Sequence, residues 1–141
     1  MVPTATDAIC QFIPPFLRYL REALVGANIS PARFQVLQVL SESEPLPMVE
    51  LARRLAVTRR NVTTLIDGLE KEGLAKRLEH PEDRRSTLIE LTDQGRTVFD
   101  EAAKLHRIHL EALFENISPA ERETVAGALT HLTKVVSSKR A

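Results

Sequence analysis

Two strand-like runs enclosing the charged turn Pro81-Glu82-Asp83-Arg84-Arg85-Ser86 constrain this chain more than any other stretch. Leu74-Ala75-Lys76-Arg77-Leu78 predicts one short strand, and Ser86-Thr87-Leu88-Ile89-Glu90-Leu91 supplies the β-branched and aliphatic residues of a second. A tight hairpin tipped with Arg84 and Arg85 suits entry into a nucleic-acid groove, where phosphates flank the base edges.

What precedes the hairpin gives it a context. Ser30-Pro31 starts a helix, with Ser30 as N-cap and Pro31 at the first helical position, and Phe34, Val36, Leu37 and Leu40 give it a buried face. Ser41 to Pro47 ends that helix. Met48 to Leu55 reads as a short helix and Ala56-Val57 as a turn. Thr58 then caps a helix that runs to about Glu72, where Gly73 stops it. Two helices meeting at a short turn make a helix-turn-helix pattern, so the hairpin behind them reads as a wing.

The Thr58 helix carries Val62, Leu65, Ile66 and Leu69 at the i, i+3, i+4, i+7 spacing of one buried face. At about 100° per residue, Arg60, Thr64 and Asp67 fall opposite that face, flanked by Asn61, Thr63 and Gly68, with Arg59 nearer the boundary. A stripe of Arg, Asn and Thr on the first two turns has the donors and acceptors that read base edges in a major groove.

Beyond the hairpin, Thr92 caps a long helix with Val98, Ala102, Leu105, His109 and Ala112 on one side, ending near Asn116. Ser118-Pro119-Ala120-Glu121 is a capping box, and the helix it opens bears Val125, Ala128, Leu129, Leu132, Val135 and Val136 in a/d-like spacing. That stripe needs a partner. Thr6 to Leu24 is also apolar and helical in tendency, but Pro14 and Pro15 are expected to kink or restart it. Apolar terminal helices around a central winged unit predict that the two ends pack together across a two-fold axis.

Zero net charge, taken alone, argues against a nucleic-acid protein. Its distribution does not. From Leu51 to Leu91 nine Lys and Arg residues (Arg53, Arg54, Arg59, Arg60, Lys71, Lys76, Arg77, Arg84, Arg85) face seven Asp and Glu, so this segment is +2 and the remainder −2. With so small a bias, affinity for DNA must come from where the arginines sit, or from pairing two copies. The 141 residues, 43% hydrophobic and 27% charged, are those of one soluble globular domain with a core of its own. No run is apolar enough to span a bilayer and no basic-then-apolar leader opens the chain, so the cytoplasm is the expected location. A lone cysteine, Cys10, forms no internal disulfide and fits a reducing compartment.

These elements in this order, with Leu51 to Leu74 (L-A-R-R-L-A-V-T-R-R-N-V-T-T-L-I-D-G-L-E-K-E-G-L), then P-E-D-R-R-S, then L-T-D-Q-G at Leu91 to Gly95, resemble the MarR family of winged-helix transcription regulators. The resemblance covers nearly the whole chain. It implies an α+β, mostly helical fold: a single domain over 1–141, with a winged helix-turn-helix lobe at about 30–95 and terminal dimerisation helices at about 5–29 and 96–138. It further implies a homodimer on a pseudo-palindromic double-stranded DNA operator, released by a small-molecule effector or by thiol oxidation. Carried over residue by residue, Thr58, Arg59, Arg60, Asn61, Thr63 and Thr64 are the expected groove and phosphate contacts. The wing's Asp-x-Arg element falls on Asp83 and Arg85: Arg85 would enter the minor groove, Asp83 would hold its guanidinium through a charge-assisted bond, and Arg84 would meet phosphate. Three departures stand out. Pro14-Pro15 interrupts the first helix, Pro47 replaces a common hydroxyl N-cap, and Gly68 occupies a position that is frequently basic.

Other candidates have plainer readings. Phe12, Phe16, Tyr19 and Phe34 can line an effector pocket or simply pack a core, and only Tyr19 offers a ligand a hydroxyl. Cys10 is either a small apolar side chain or a peroxide-sensing thiol, as in a subset of the family with a cysteine in the first helix. His106 and His109, at i and i+3, can share a metal, but nothing else in the sequence converges on them, and a hydrogen-bonded role in the dimer region is the expectation for His109. No nucleophile with its base, phosphate-binding glycine loop or metal quartet is evident, so neither an enzyme nor a cofactor is expected. A winged helix that holds a protein partner is the rival reading. It predicts exposed apolar residues where Arg60, Asn61, Thr64 and Arg85 stand.

Overall fold

A computed structural model of the chain describes residues 2–43 and 45–139. In order along the chain these form α1 (Ala5–Gly26), α2 (Pro31–Ser41), β1 (Leu46–Pro47), α3 (Met48–Leu55), α4 (Arg59–Lys71), β2 (Ala75–Glu79), β3 (Thr87–Leu91), α5 (Asp93–Leu113) and α6 (Pro119–Lys139). They fall into two compact units, one reaching to Arg107 and one from Ile108 onward.

Local chemistry sets the boundaries in the first unit. Ser30 Oγ accepts the Arg33 N–H at 3.2 Å, and Pro31 follows it in the position where no N–H is needed. Pro47 has no side chain with which to cap α3. That helix ends instead on Ala56, left-handed at φ 54°, whose N–H and that of Val57 close back on α3 carbonyls. Thr58 Oγ1 accepts the Asn61 N–H at 3.1 Å to begin α4, and Gly73 at φ 76° turns the chain out of it. The helix-turn-helix is therefore built from caps at both ends of a three-residue turn.

The core lies where α2, α3, α4 and the sheet converge. Val36, Leu37, Leu51, Val62, Ile66, Leu69 and Ile89 have no exposed surface. Strand β3 is central, antiparallel to both neighbours in the order β1-β3-β2, with Leu46 opposite Ile89 and Ala75 opposite Leu91. Each hairpin strand begins one residue later than its sequence pattern predicts. Strand β1, read from sequence as mere connection, is too short to show an alternation, and Pro47 is tolerated because it lies on the sheet edge.

The N-terminal helix decides against a restart at the prolines: α1 is one helix that continues through Pro14 and Pro15. The two prolines withdraw the N–H groups that would serve the carbonyls of Cys10 and Gln11. Both of those residues are exposed, so water can take the freed acceptors. Helix α1 is also held at both ends, by the Thr4 cap at 3.1 Å and by Leu24, which packs with Phe34 and Ala102. In the second unit, α5 ends at Leu113, a little before the expected Asn116, and Ser118 opens α6 with its capping box, its Oγ accepting the Glu121 N–H at 3.2 Å.

The L-T-x-x-G motif has a mechanical meaning. Thr92 donates its N–H to the Leu74 carbonyl at 3.1 Å and its hydroxyl to the Gly73 carbonyl at 2.6 Å, while Oγ1 accepts the Gly95 N–H at 2.9 Å. A Cβ on Gly95 would lie 1.9 Å from the Leu74 oxygen, so only glycine lets α5 start this close to the turn after α4. Gly95→Ala must push two backbones apart. It should cost about 2 to 3 kcal/mol in urea unfolding, the upper range for overpacking; a loss of under half that would show the junction yields freely.

Candidate nucleic-acid interface

Burying Val62, Ile66 and Leu69 turns the rest of α4 outward. Arg59, Arg60, Asn61, Thr64 and Asp67 are exposed, as the helical spacing predicts, and Thr63 is half-buried. Thr63 and Thr64 donate their hydroxyls to the carbonyls of Arg59 and Arg60 at 2.8 and 3.1 Å. Each hydroxyl oxygen is then left as an acceptor beside a methyl group. Arg59 and Arg60 enter no ion pair among the described residues, so both guanidinium groups stand in solvent at the N-terminal end of the helix, where backbone N–H groups also favour anions.

The hairpin presents Arg84 and Arg85 at its tip, both exposed and likewise without an ion pair among the described residues. Here the structure corrects the expected role of Asp83. Its carboxylate accepts the main-chain N–H of Arg85 at 3.0 Å and not the guanidinium, and its carbonyl accepts the Ser86 N–H at 3.1 Å. An aspartate two residues before a main-chain donor closes on it more readily than on the end of a long, solvated side chain. Asp83 thus shapes the turn, and the Arg85 side chain is exposed. His80 Nδ1 secures the other side by accepting the Glu82 N–H at 3.1 Å.

Four acidic residues behave differently. Asp67 and Glu70 both pair with Arg77 from β2, at 2.6 and 2.5 Å, Glu72 pairs with Arg33 from α2, and Glu90 pairs with Lys76 at 3.0 Å. Gly68 belongs to this arrangement: a Cβ there would lie 2.5 Å from the Arg33 guanidinium, so its smallness lets Arg33 reach Glu72. Sequence reading finds none of the Arg77 and Arg33 partners, because they lie 7, 10 and 39 residues apart with no local period to mark them. On α3, Arg53 and Arg54 share Glu50 at i+3 and i+4, a spacing visible in the sequence, and add cationic surface next to the start of α4.

The remaining candidates are dispersed. Phe12 and Phe16 stack on each other at 4.6 Å along α1. Phe34 is buried, stacked on Phe99 at 5.6 Å and beside His106 at 5.2 Å, and borders an open groove of about 640 Å³. Leu17, Leu20 and Leu24 supply much of the groove's apolar wall and Arg21, Gln35 and Gln38 its polar groups, while Phe12, Phe16 and Tyr19 do not line it. Cys10 is exposed. Among the described residues no three His, Cys, Asp or Glu side chains gather as a metal site, and no helix is long and apolar enough to cross a membrane.

A helix-turn-helix followed by an arginine-tipped hairpin defines the winged-helix class of DNA-binding proteins. The MarR family model matches residues 29–87. The HTH-type transcriptional repressor YetL of Bacillus subtilis is 32% identical over 114 residues, 79% of this chain and 68% of that protein. The homoprotocatechuate degradative operon repressor of Escherichia coli is 25% identical over 132 residues, 94% of this chain and 86% of the repressor. Among solved structures, wild-type MarR of E. coli in its apo form superposes with a TM-score of 0.82 at 26% identity, over 94% of this chain and 98% of that one. The repressor CouR bound to a 23-mer DNA duplex gives 0.77 at 28% identity, over 92% of each chain. The chain belongs to the MarR family and is a DNA-binding transcriptional regulator.

One acid on this surface titrates abnormally. Hydrogen bonds from Arg53 and then Arg54 lower the Glu50 carboxyl from 4.5 to about 2. A carboxyl depressed on folding contributes stability that is fully present above its unfolded value and is lost as pH falls through its folded one. Carboxyl NMR should place the Glu50 midpoint near 2, rising toward 4.5 in an Arg53→Gln, Arg54→Gln double variant. An unchanged midpoint would show that the bridges do not persist in solution.

Proposed function

We propose that the protein is a homodimeric repressor that grips a pseudo-palindromic operator with α4 in the major groove and the hairpin in the minor groove of each half-site, and that a small molecule releases it. The observation that carries the reading is the pairing pattern. Arg59, Arg60, Arg84 and Arg85 are left unneutralised on one helix end and one hairpin tip, while the carboxylates of α4 are held by cations from other elements. No large hydrophobic residue of α4 or the hairpin is exposed, which disfavours the surface of a protein-holding module. Repression is supported by relatives that are themselves repressors. On a verified operator, Arg85→Ala should weaken binding by about 1 to 3 kcal/mol, and Arg60→Ala or Asn61→Ala should in addition blur base preference. Competition binding at several salt concentrations reads both effects, and wild-type affinity in these variants would sink the assignment.

Dimerisation is supported by apolar surface that a single copy leaves bare. Ile9, Phe12, Ile13 and Leu17 on α1, and Leu129, Leu132, Val135 and Val136 on α6, are each more than a third exposed. A second copy would cover them and set half-sites about one helical turn apart. The groove beside Phe34, apolar with a few polar groups, suits a small organic effector better than the stacked Phe12 and Phe16 do. The exposed Cys10 favours one second reading, thiol oxidation, which with a single cysteine must end in a sulfenic acid, a mixed disulfide or a bridge between subunits. Sedimentation equilibrium should return a dimer at low micromolar concentration, and DNA release by organic hydroperoxide should be weak and unaltered by Cys10→Ser. A folded monomer contradicts the dimer, and release abolished by the serine variant makes Cys10 the sensor.

A further inference from the structure

Asp67 occupies the same outward stripe of α4 as Arg60 and Thr64, about 10 Å further along the helix axis than Arg60. A bare carboxylate there, with Glu70 one turn on, would stand within roughly one Debye length of phosphates lining a groove that holds the helix. Neither is bare. Arg77, on the first strand of the hairpin, places Nη2 at 2.6 Å from Asp67 Oδ1 and Nη1 at 2.5 Å from Glu70 Oε1, and its main-chain N–H reaches Glu70 Oε2 at 3.3 Å. The Arg77 side chain is itself half-buried at 29% exposure, whereas the Asp67 side chain is 62% exposed. The cation is thus positioned by packing, and the carboxylates turn toward it.

We propose that Arg77 is a positioning residue for DNA binding: it cancels the charge of two recognition-helix carboxylates and ties that helix to the wing without itself reading DNA. The proposal rests on α4 and the hairpin being the DNA-binding surface. A guanidinium is the group the geometry demands, since its planar fork offers separate N–H donors to two carboxylates at once, whereas an ammonium is a single point charge. The consequence for readout is specific. Asp67, which spacing alone assigns to the groove-facing stripe, is withdrawn as an acceptor for base amino groups, leaving Arg60, Asn61 and Thr64 as the base-reading set.

The test uses the full-length protein and a labelled duplex carrying the sequence it protects in footprinting of its own upstream region. Affinity is measured between about 50 and 200 mM salt, with urea unfolding of every variant alongside. Arg77→Met should weaken binding by about tenfold to a hundredfold at the low-salt end, with the deficit narrowing as salt screens the exposed carboxylates. Adding Asp67→Asn and Glu70→Gln to Arg77→Met should restore affinity to within about threefold of wild type although the cross-link is gone, a recovery that a purely structural role does not give. Arg77→Lys should fall between, and it carries the test if the methionine variant does not fold. Wild-type affinity in Arg77→Met, or a triple variant as weak as Arg77→Met, overturns the proposal. Arg85→Ala on the same duplex separates the two readings: if it weakens binding while Arg77→Met does not, only the role of Arg77 fails. If wild type protects no sequence in footprinting, both fail.

Discussion

Helix α4 is held by one face, and the surface that it and the hairpin present depends on that grip. Val62, Ile66 and Leu69 sit against Leu37, Leu51 and Ile89 with no surface exposed, each worth about 1.5 to 3 kcal/mol of apolar burial. Their spacing fixes the rotation of α4 about its own axis and therefore decides which side chains face out. The same cluster holds β3, whose pairing with β2 sets the position of the hairpin. One apolar seam thus orients the helix and anchors the wing together.

A neutral chain that binds a polyanion has to solve its electrostatics by arrangement, and the arrangement here is a sorting of charges. Acids on α4 and at its end are matched by Arg77 and Arg33, which arrive from β2 and α2, and Glu50 is matched within α3. Arg59 and Arg60 at the N-terminal turn of α4 and Arg84 and Arg85 at the hairpin tip enter no ion pair among the described residues. Exposed ion pairs contribute little to stability, so the main effect of these bridges is on the field that a ligand meets. That is why summed charge is a poor guide to this protein.

How much was legible in the sequence follows from the range of each interaction. The caps at Ser30, Thr58, Thr92 and Ser118, the stripe at Val62, Leu65, Ile66 and Leu69, and the arginine-tipped hairpin are all encoded within a few residues, and the structure places them as their spacing predicts. Strand β1 escaped because two residues carry no period. The continuity of α1 through Pro14-Pro15 escaped because it depends on exposure of the freed carbonyls, which a propensity does not report. Asp83 was misassigned for the opposite reason: a bond two residues away competes better than the more distant guanidinium that the family pattern suggested. The Arg77 and Arg33 bridges join elements far apart in the chain, and only the folded core brings them together.

The junction at Thr92 and Gly95 has a consequence for how that surface is carried. Three hydrogen bonds and a backbone approach too close for a methyl group leave no soft joint between the turn after α4 and the first turn of α5. With Arg77 bracing β2 against α4, the helix, the hairpin base and the head of α5 form a single stiff lever. Arg59, Arg60 and Asn61 at the head of α4 are therefore carried on the same rigid piece as the base of the hairpin and the first turn of α5, so their mutual geometry does not depend on any loop staying ordered.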